Sequence, residues 1–205
     1  MDVLSTRLYG GRTKVDRTAE RREKFVEAAI NLAARGGREA VTVSNACAEA
    51  RLTTRYFYES FASRERLFAE AFRVVAERLI AAMRKSSSAS IAPDPIEAFF
   101  ATLRQFPGEA RVFLVDIDAY GQELADLRRQ MASTLSHLIT PGVNARVARA
   151  GALGALLAMG REWTRGNFSE SLEEVVFGAR AIAEVAGRAV SLMPEPTILR
   201  DAKPR

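Results

Sequence analysis

The sequence predicts an all-α protein: an amino-terminal tri-helical helix-turn-helix unit followed by a longer helical domain. Three observations carry this. Apolar residues recur at three- and four-residue spacing in segment after segment. β-branched residues never form an alternating run. Three helix-start residues, Thr42, Thr53 and Ser63, fall eleven and ten residues apart, a spacing that leaves room only for short helices.

Residues 1–18 contain Gly10-Gly11, Arg7, Arg12, Lys14 and Arg17 without an apolar period, and read as a disordered basic arm. It is either a solvated leader or a DNA-contacting arm. From Ala19 to Arg35, Phe25, Ala28, Ala29, Leu32 and Ala33 make one helical face, and Gly36-Gly37 ends it. Thr42 caps a short second helix with Val43, Ala46, Cys47 and Ala50 on its apolar side. After the turn Arg51-Leu52, Thr53 caps a third helix, Thr54 to Ser60; Ser63 then opens a long helix to about Lys85. Helices this short cannot stand alone and must pack together, here around Phe25, Leu32, Val43, Leu52, Phe57, Phe61 and Leu67. Residues 19–66 form this unit; short helix, tight turn, short helix is the helix-turn-helix arrangement.

The composition breaks at Ser86–Pro95, a linker. Helices follow over Ile96–Phe106, Glu109–Tyr120, Glu123–Ile139, Val143–Arg165 and Ser171–Met193, with Pro107-Gly108, Gly121, Thr140-Pro141-Gly142 and Gly166-Asn167 between them. Residues 67–193 make a second helical domain, and 194–205 read as a disordered tail.

The 205 residues carry a net charge of +5, unevenly placed: residues 1–66 hold thirteen Lys and Arg against nine Asp and Glu, residues 67–205 seventeen against sixteen. The basic excess therefore lies beside the helix-turn-helix, where a polyanion would bind. A single cysteine, Cys47, excludes an internal disulfide and reads as a packing residue in a reducing, cytoplasmic setting. There is no signal-peptide pattern, and no membrane partner is expected; Ala150–Gly160, the longest low-charge stretch, is too short to span a bilayer.

Phe25 to Leu67 resembles the DNA-binding domain of the TetR family. The residues that carry the likeness are Phe25-Val26, Ala28-Ala29, Leu32-Ala33 and Gly37 in the first helix, Thr42, Val43 and Ala50 in the second, and above all the run Ala50 to Phe61, ARLTTRYFYESF. Ser63-Arg64-Glu65-Arg66-Leu67 resembles the family's start of the fourth helix. Departures are Arg51 for the usual turn glycine, Ala33 and Ala46 for larger apolar residues, and Ser60 for a His or Tyr. The resemblance implies a ligand-responsive repressor, a homodimer on a near-palindromic double-stranded DNA operator, released by a small apolar effector.

The residues support the same docking. Phe57 and Phe61, four apart, anchor one face of the third helix. Thr53, Thr54, Arg55 and Tyr56 open it and face outward, where a helix-turn-helix meets base edges. Arg55 suits a bidentate contact to guanine. Thr42, Tyr58, Ser60 and Arg64 stand where phosphates would pass.

In the last helix, Leu172, Val176, Ala179, Ala183, Ala186, Val190 and Met193 make a four-three seam, and Gly151, Gly154, Ala155 and Ala158 permit close helix approach. These seams pack either within one chain or, as the resemblance implies, across a dimer as a four-helix bundle. The resemblance further implies an effector cavity, for which the candidates are Phe100, Leu103, Phe113, Ile117, Tyr120, Met131, Leu135, Met159 and Trp163, with Asp116, Asp118, Tyr120 and His137 as polar partners. His137 reads more readily as a surface or satisfied residue. Asp116, Asp118 and His137 lack a nucleophile or metal partner at useful spacing, so no enzyme activity, metal or cofactor is expected.

Overall fold

The computed structural model describes residues 14–87, 94–114, 122–141 and 145–191, and among them all regular structure is helical. The helices are α1 (Lys14–Gly36), α2 (Val43–Ala50), α3 (Thr54–Ser60), α4 (Arg64–Ser87), α5 (Pro95–Gln105), α6 (Pro107–Leu114), α7 (Gln122–Ile139), α8 (Arg146–Arg165) and α9 (Leu172–Ser191). Most of the linker, the first thirteen residues, Asp116, Ile117, Asp118, Tyr120 and the carboxy-terminal tail lie outside the described residues.

α1 begins at Lys14, five residues before the expected start. Lys14–Thr18 thus belongs to the helix rather than to the arm. Asp16 and Arg17 in this opening stretch are exposed, consistent with the lack of an apolar period there. Further along, Phe25, Val26, Ala29, Ile30 and Ala33 are buried. Gly37 adopts φ 66° and its N–H donates to the Ala33 carbonyl at 2.8 Å, closing the helix as a left-handed glycine does. A short 3-10 turn, Arg38–Ala40, leads to Thr42, whose hydroxyl accepts from the Asn45 N–H at 3.1 Å and caps α2. Thr53 occupies the position before α3 without a side-chain capping bond.

α4 joins the two halves of the molecule. Leu67, Phe68, Ala71 and Phe72 pack at its start and Val75, Ala76, Leu79, Ile80 and Met83 toward its end, all buried in one continuous apolar cluster that runs from Phe25 to Ala179. Asp94 caps α5 through the Glu97 N–H at 2.9 Å, with Pro95 at the first helical position. Pro107-Gly108, expected as a break, instead starts α6 for the same reason. A Cβ at Gly108 would stand 2.6 Å from that of Ala34, so α6 touches α1 where only glycine fits. Arg78 of α4 bridges this junction, pairing with Glu27 of α1 and with Glu109 of α6 at 2.5 Å.

α7 and α8 run antiparallel. His137 lies exposed on α7, its Nδ1 bonding the Ser133 carbonyl at 2.7 Å and its Nε2 accepting from Arg149 at 2.8 Å. A neutral ring with its hydrogen on Nδ1 satisfies both contacts.

Candidate nucleic-acid interface

α3 is held by three phenyl rings. Phe57 is completely buried and Phe61 nearly so, and both meet Phe25 of α1 edge-on, at 5.5 and 6.4 Å between centroids. Arg22 of α1 clamps the far end. Its guanidinium lies 4.3 Å over the Phe61 ring, donates to the Ser60 carbonyl at 2.8 Å and pairs with Glu70 of α4 at 3.3 Å. Hydrogen bonding from Arg73, reinforced by Arg22, holds the Glu70 carboxyl below the usual carboxylate range. The helix is thus pinned to α1 and α4 by rings and charge together.

The other face looks outward. Thr53, Thr54, Arg55 and Tyr58 are exposed, with 85% of the Arg55 side chain open to solvent. Arg55 donates through Nε to Glu59 at 3.0 Å, an exposed pair one turn apart on the same helix. Such a pair is worth little and can be exchanged for a better acceptor. Tyr58 packs its ring edge against Phe57 at 5.3 Å and is otherwise in solvent.

Two expected contacts are corrected. Tyr56 does not face outward: its ring is half-buried against the core, with the Arg21 guanidinium 4.3 Å above it, because its position beside Phe57 turns it toward α1. Ser60 gives its hydroxyl hydrogen to the Tyr56 carbonyl at 2.8 Å, which leaves no donor for a phosphate. Arg64 stands at the start of α4 with Nε on Glu65 at 2.9 Å. Sequence reasoning missed Arg21 and Arg22, which fix the reading helix from behind. Their position on α1, facing α3, was the available signal. Arg51 takes the left-handed conformation of the glycine it replaces, φ 53°, as the last cap of α2.

A cavity of about 390 Å³ opens among α4, α6, α7 and α8, lined by Phe72, Phe113, Leu114, Ala125, Arg128, Arg129, Met131, Ala132, Leu135, Leu157 and Arg161. Three expected residues, Phe113, Met131 and Leu135, are there. Phe100, Leu103 and Trp163 are corrected to solid core: Phe100 meets Trp163 edge-on at 6.0 Å, and the Trp163 indole donates to the Glu170 carbonyl at 3.0 Å. Met159 points instead at Gly178 of α9. His137 does not line the cavity.

The α9 seam is also corrected. Val176 and Ala179 are buried within the chain, packing with α5 and α8, and so face away from any partner, while Ala183 and Ala186 are half-buried. The side chain of Val190 lies outside the described residues. The open face of α9 is one residue round the helix, at Phe177, Ala181 and Val185, with Phe177 76% exposed. On α8, Gly151, Gly154 and Ala158 are exposed, as is Val147, while Ala155 is half-buried, and a Cβ at either glycine would meet nothing within 4 Å.

No helix of the described residues is long and apolar enough to cross a membrane. No protein-family profile and no curated sequence matches the chain. Solved structures do. The fatty acid degradation regulator FadR from Bacillus halodurans aligns with TM-score 0.66 at 17% identity, over 80% of this chain and 94% of that one. The transcriptional regulator FadR from Bacillus subtilis, in complex with stearoyl-CoA, gives 0.63 at 16%, over 80% and 96%. A TetR family transcription regulator from Marinobacter aquaeolei VT8 gives 0.63 at 18%, over 84% and 97%. The chain has the fold of these regulators.

Proposed function

We propose that this chain, built on the TetR-type fold, is a DNA-binding transcriptional regulator: a homodimeric, ligand-responsive repressor of a near-palindromic operator. The observation that carries the reading is α3, whose buried Phe57 and Phe61 fix it while Thr53, Thr54 and Arg55 stand exposed at its opening. A helix presented this way enters a major groove with its first turn on the base edges. Arg55 exchanges Glu59 for guanine O6 and N7; Thr42, Tyr58 and Arg64 take phosphates.

Two sets of exposed apolar or small residues, Val147, Gly151, Gly154 and Ala158 on α8 and Phe177, Ala181 and Val185 on α9, support a two-fold contact between chains. Two copies joined there would set their reading helices about one DNA turn, roughly 34–36 Å, apart. Ligand response is supported by the position of α6, which carries Phe113 and Leu114 in the cavity wall at one end and rests on Ala34 of α1 at the other. A ligand that binds one setting of α6 better than another shifts the spacing of the reading helices through α1.

The test is a gel shift of the full chain on the DNA upstream of its own gene against random duplex. Retardation of the upstream fragment alone, with Arg55→Ala erasing the preference and Arg64→Ala weakening both duplexes alike, is the expected result. Indifference to every duplex offered overturns the reading.

A further inference from the structure

Glu59 is the only acidic residue of α3, and its two oxygens face different arginines. Oε1 accepts from Nε of Arg55 at 3.0 Å, and Oε2 lies 3.9 Å from Nη2 of Arg21 on α1. The two arginines are unlike. Arg55 is fully in solvent, whereas Arg21 is half-buried, laid over the Tyr56 ring and bonded to the Thr18 hydroxyl at 3.1 Å. Arg21 is therefore the fixed partner and Arg55 the movable one. When Arg55 leaves, Glu59 keeps an anchor on α1.

Arg55 and Glu59 lie two residues to either side of the buried Phe57, so both are on the face turned away from the core. Their order does not serve the helix. Arg55 sits in the first turn of α3 and Glu59 in the last, each against the helix dipole, and the reverse order is the one that supports a helix. A pair set against helix stability on the outward face points to what that face meets.

We infer that Glu59 is the second base-reading side chain of α3: with Arg55 released onto guanine, its carboxylate, aimed by Arg21, accepts the amino hydrogen of a cytosine N4. This rests on the regulator reading above and adds a specificity residue to it. Four residues along a helix is about 6 Å, or roughly two base-pair steps of 3.4 Å, so the cytosine lies within about two base pairs of the guanine. Carboxylate to cytosine N4 is the pairing that major-groove chemistry offers to Glu. Where a duplex lacks the amino group, the carboxylate faces carbonyl oxygens and phosphates and is repelled, so Glu59 also works against random DNA.

Duplexes are selected from a random pool by the full chain, by Glu59→Gln and by Arg21→Gln, and the selected and random duplexes are then titrated at several salt concentrations. The unaltered chain should select a guanine and, within about two base pairs of it in each half-site, a cytosine preferred at least roughly fivefold over other bases. Glu59→Gln, an exposed change, should lose the cytosine preference, keep the guanine and bind random duplex more tightly, with a salt slope steeper by about 1 per subunit as Arg55 turns to phosphate. Arg21→Gln should blunt the cytosine position and no other, which a merely structural part for Arg21 would not do. Unchanged base preferences in Glu59→Gln, or loss of guanine and cytosine together, overturns the inference. Equal weakening of every duplex by Arg21→Gln overturns the part given to Arg21. An unaltered chain that selects nothing loses the regulator reading; one that selects an operator which Glu59→Gln reads identically loses this inference alone.

Discussion

α3 and α9 both carry apolar residues at helical spacing, yet one face was legible in advance and the other was not. Phe57 in α3 and Phe61 just past its end, both buried, sit one turn apart, and Phe25 waits across from them. A seven-residue helix anchored by such a ring within it and another at its end has one way to pack, so most of its outer face follows. α9 is twenty residues long and apolar on two sides. The regular seam through Val176 and Ala179 turns inward, and the less regular set of Phe177, Ala181 and Val185 is left open. Periodicity shows that a helix has a face, but not whether its own chain or another covers it.

The sharpest test of this difference removes the ring that decides α3. Phe57→Ala empties a fully buried site in a small core and should cost about 3–5 kcal/mol. A urea melt should show the loss, with DNA binding abolished under conditions where the remaining helices still give a circular dichroism signal. A loss below about 1 kcal/mol would mean that α3 is held by its charges, chiefly Arg22, and not by its rings.

For α9, adjacent positions should separate folding from assembly. Phe177→Glu should cost about 2–4 kcal/mol of dimer stability, since both copies place a charge in the contact, and should leave the monomer's melting profile in place. Val176→Ala should cost the monomer about 2 kcal/mol through two lost methyl groups and the void they leave. Sedimentation at a series of concentrations distinguishes them. A Phe177→Glu variant that stays dimeric would move the interface elsewhere.

What was readable divides along the same line. Helix order, the cap at Thr42 and the outward set Thr53, Thr54 and Arg55 all rest on local chemistry, whereas the cap at Asp94 fell inside what read as a linker. Tyr56 and Ser60 were misplaced because their fate depends on neighbours distant in sequence or on backbone geometry: the guanidinium of Arg21 for one, the Tyr56 carbonyl for the other. The cavity was half readable. Its large apolar residues stood out, but Phe100 and Trp163 fill space rather than line it, and only the packing of four helices tells those cases apart.

Within α3 itself, Arg55→Ala should cost about 1–3 kcal/mol on the preferred duplex and far less on random DNA, narrowing the ratio between them. Equal losses on both would assign Arg55 to phosphate and pass the reading of bases to Thr53 and Thr54.

The smallest expected effect sets one substitution at two turns against itself. Arg51, after α2, and Phe168, after α8, both occupy the left-handed region, at φ 53° and 59°, where a side chain costs about 1–2 kcal/mol. Arg51 is exposed, so Arg51→Gly removes that cost and loses only the glycine's extra freedom in the unfolded chain, for a net gain of about 0.5–1 kcal/mol. Phe168 meets Trp163 edge-on at 5.0 Å, and its N–H donates to the Trp163 carbonyl at 2.8 Å. Phe168→Gly relieves the same strain but uncovers the indole, and should be destabilising by about 1 kcal/mol. Urea midpoints moving in opposite directions would show that the strain at the second turn is held by packing. Midpoints that both rise would leave the Phe168 ring without a structural part, and the second domain would then tolerate at its turns what the first tolerates.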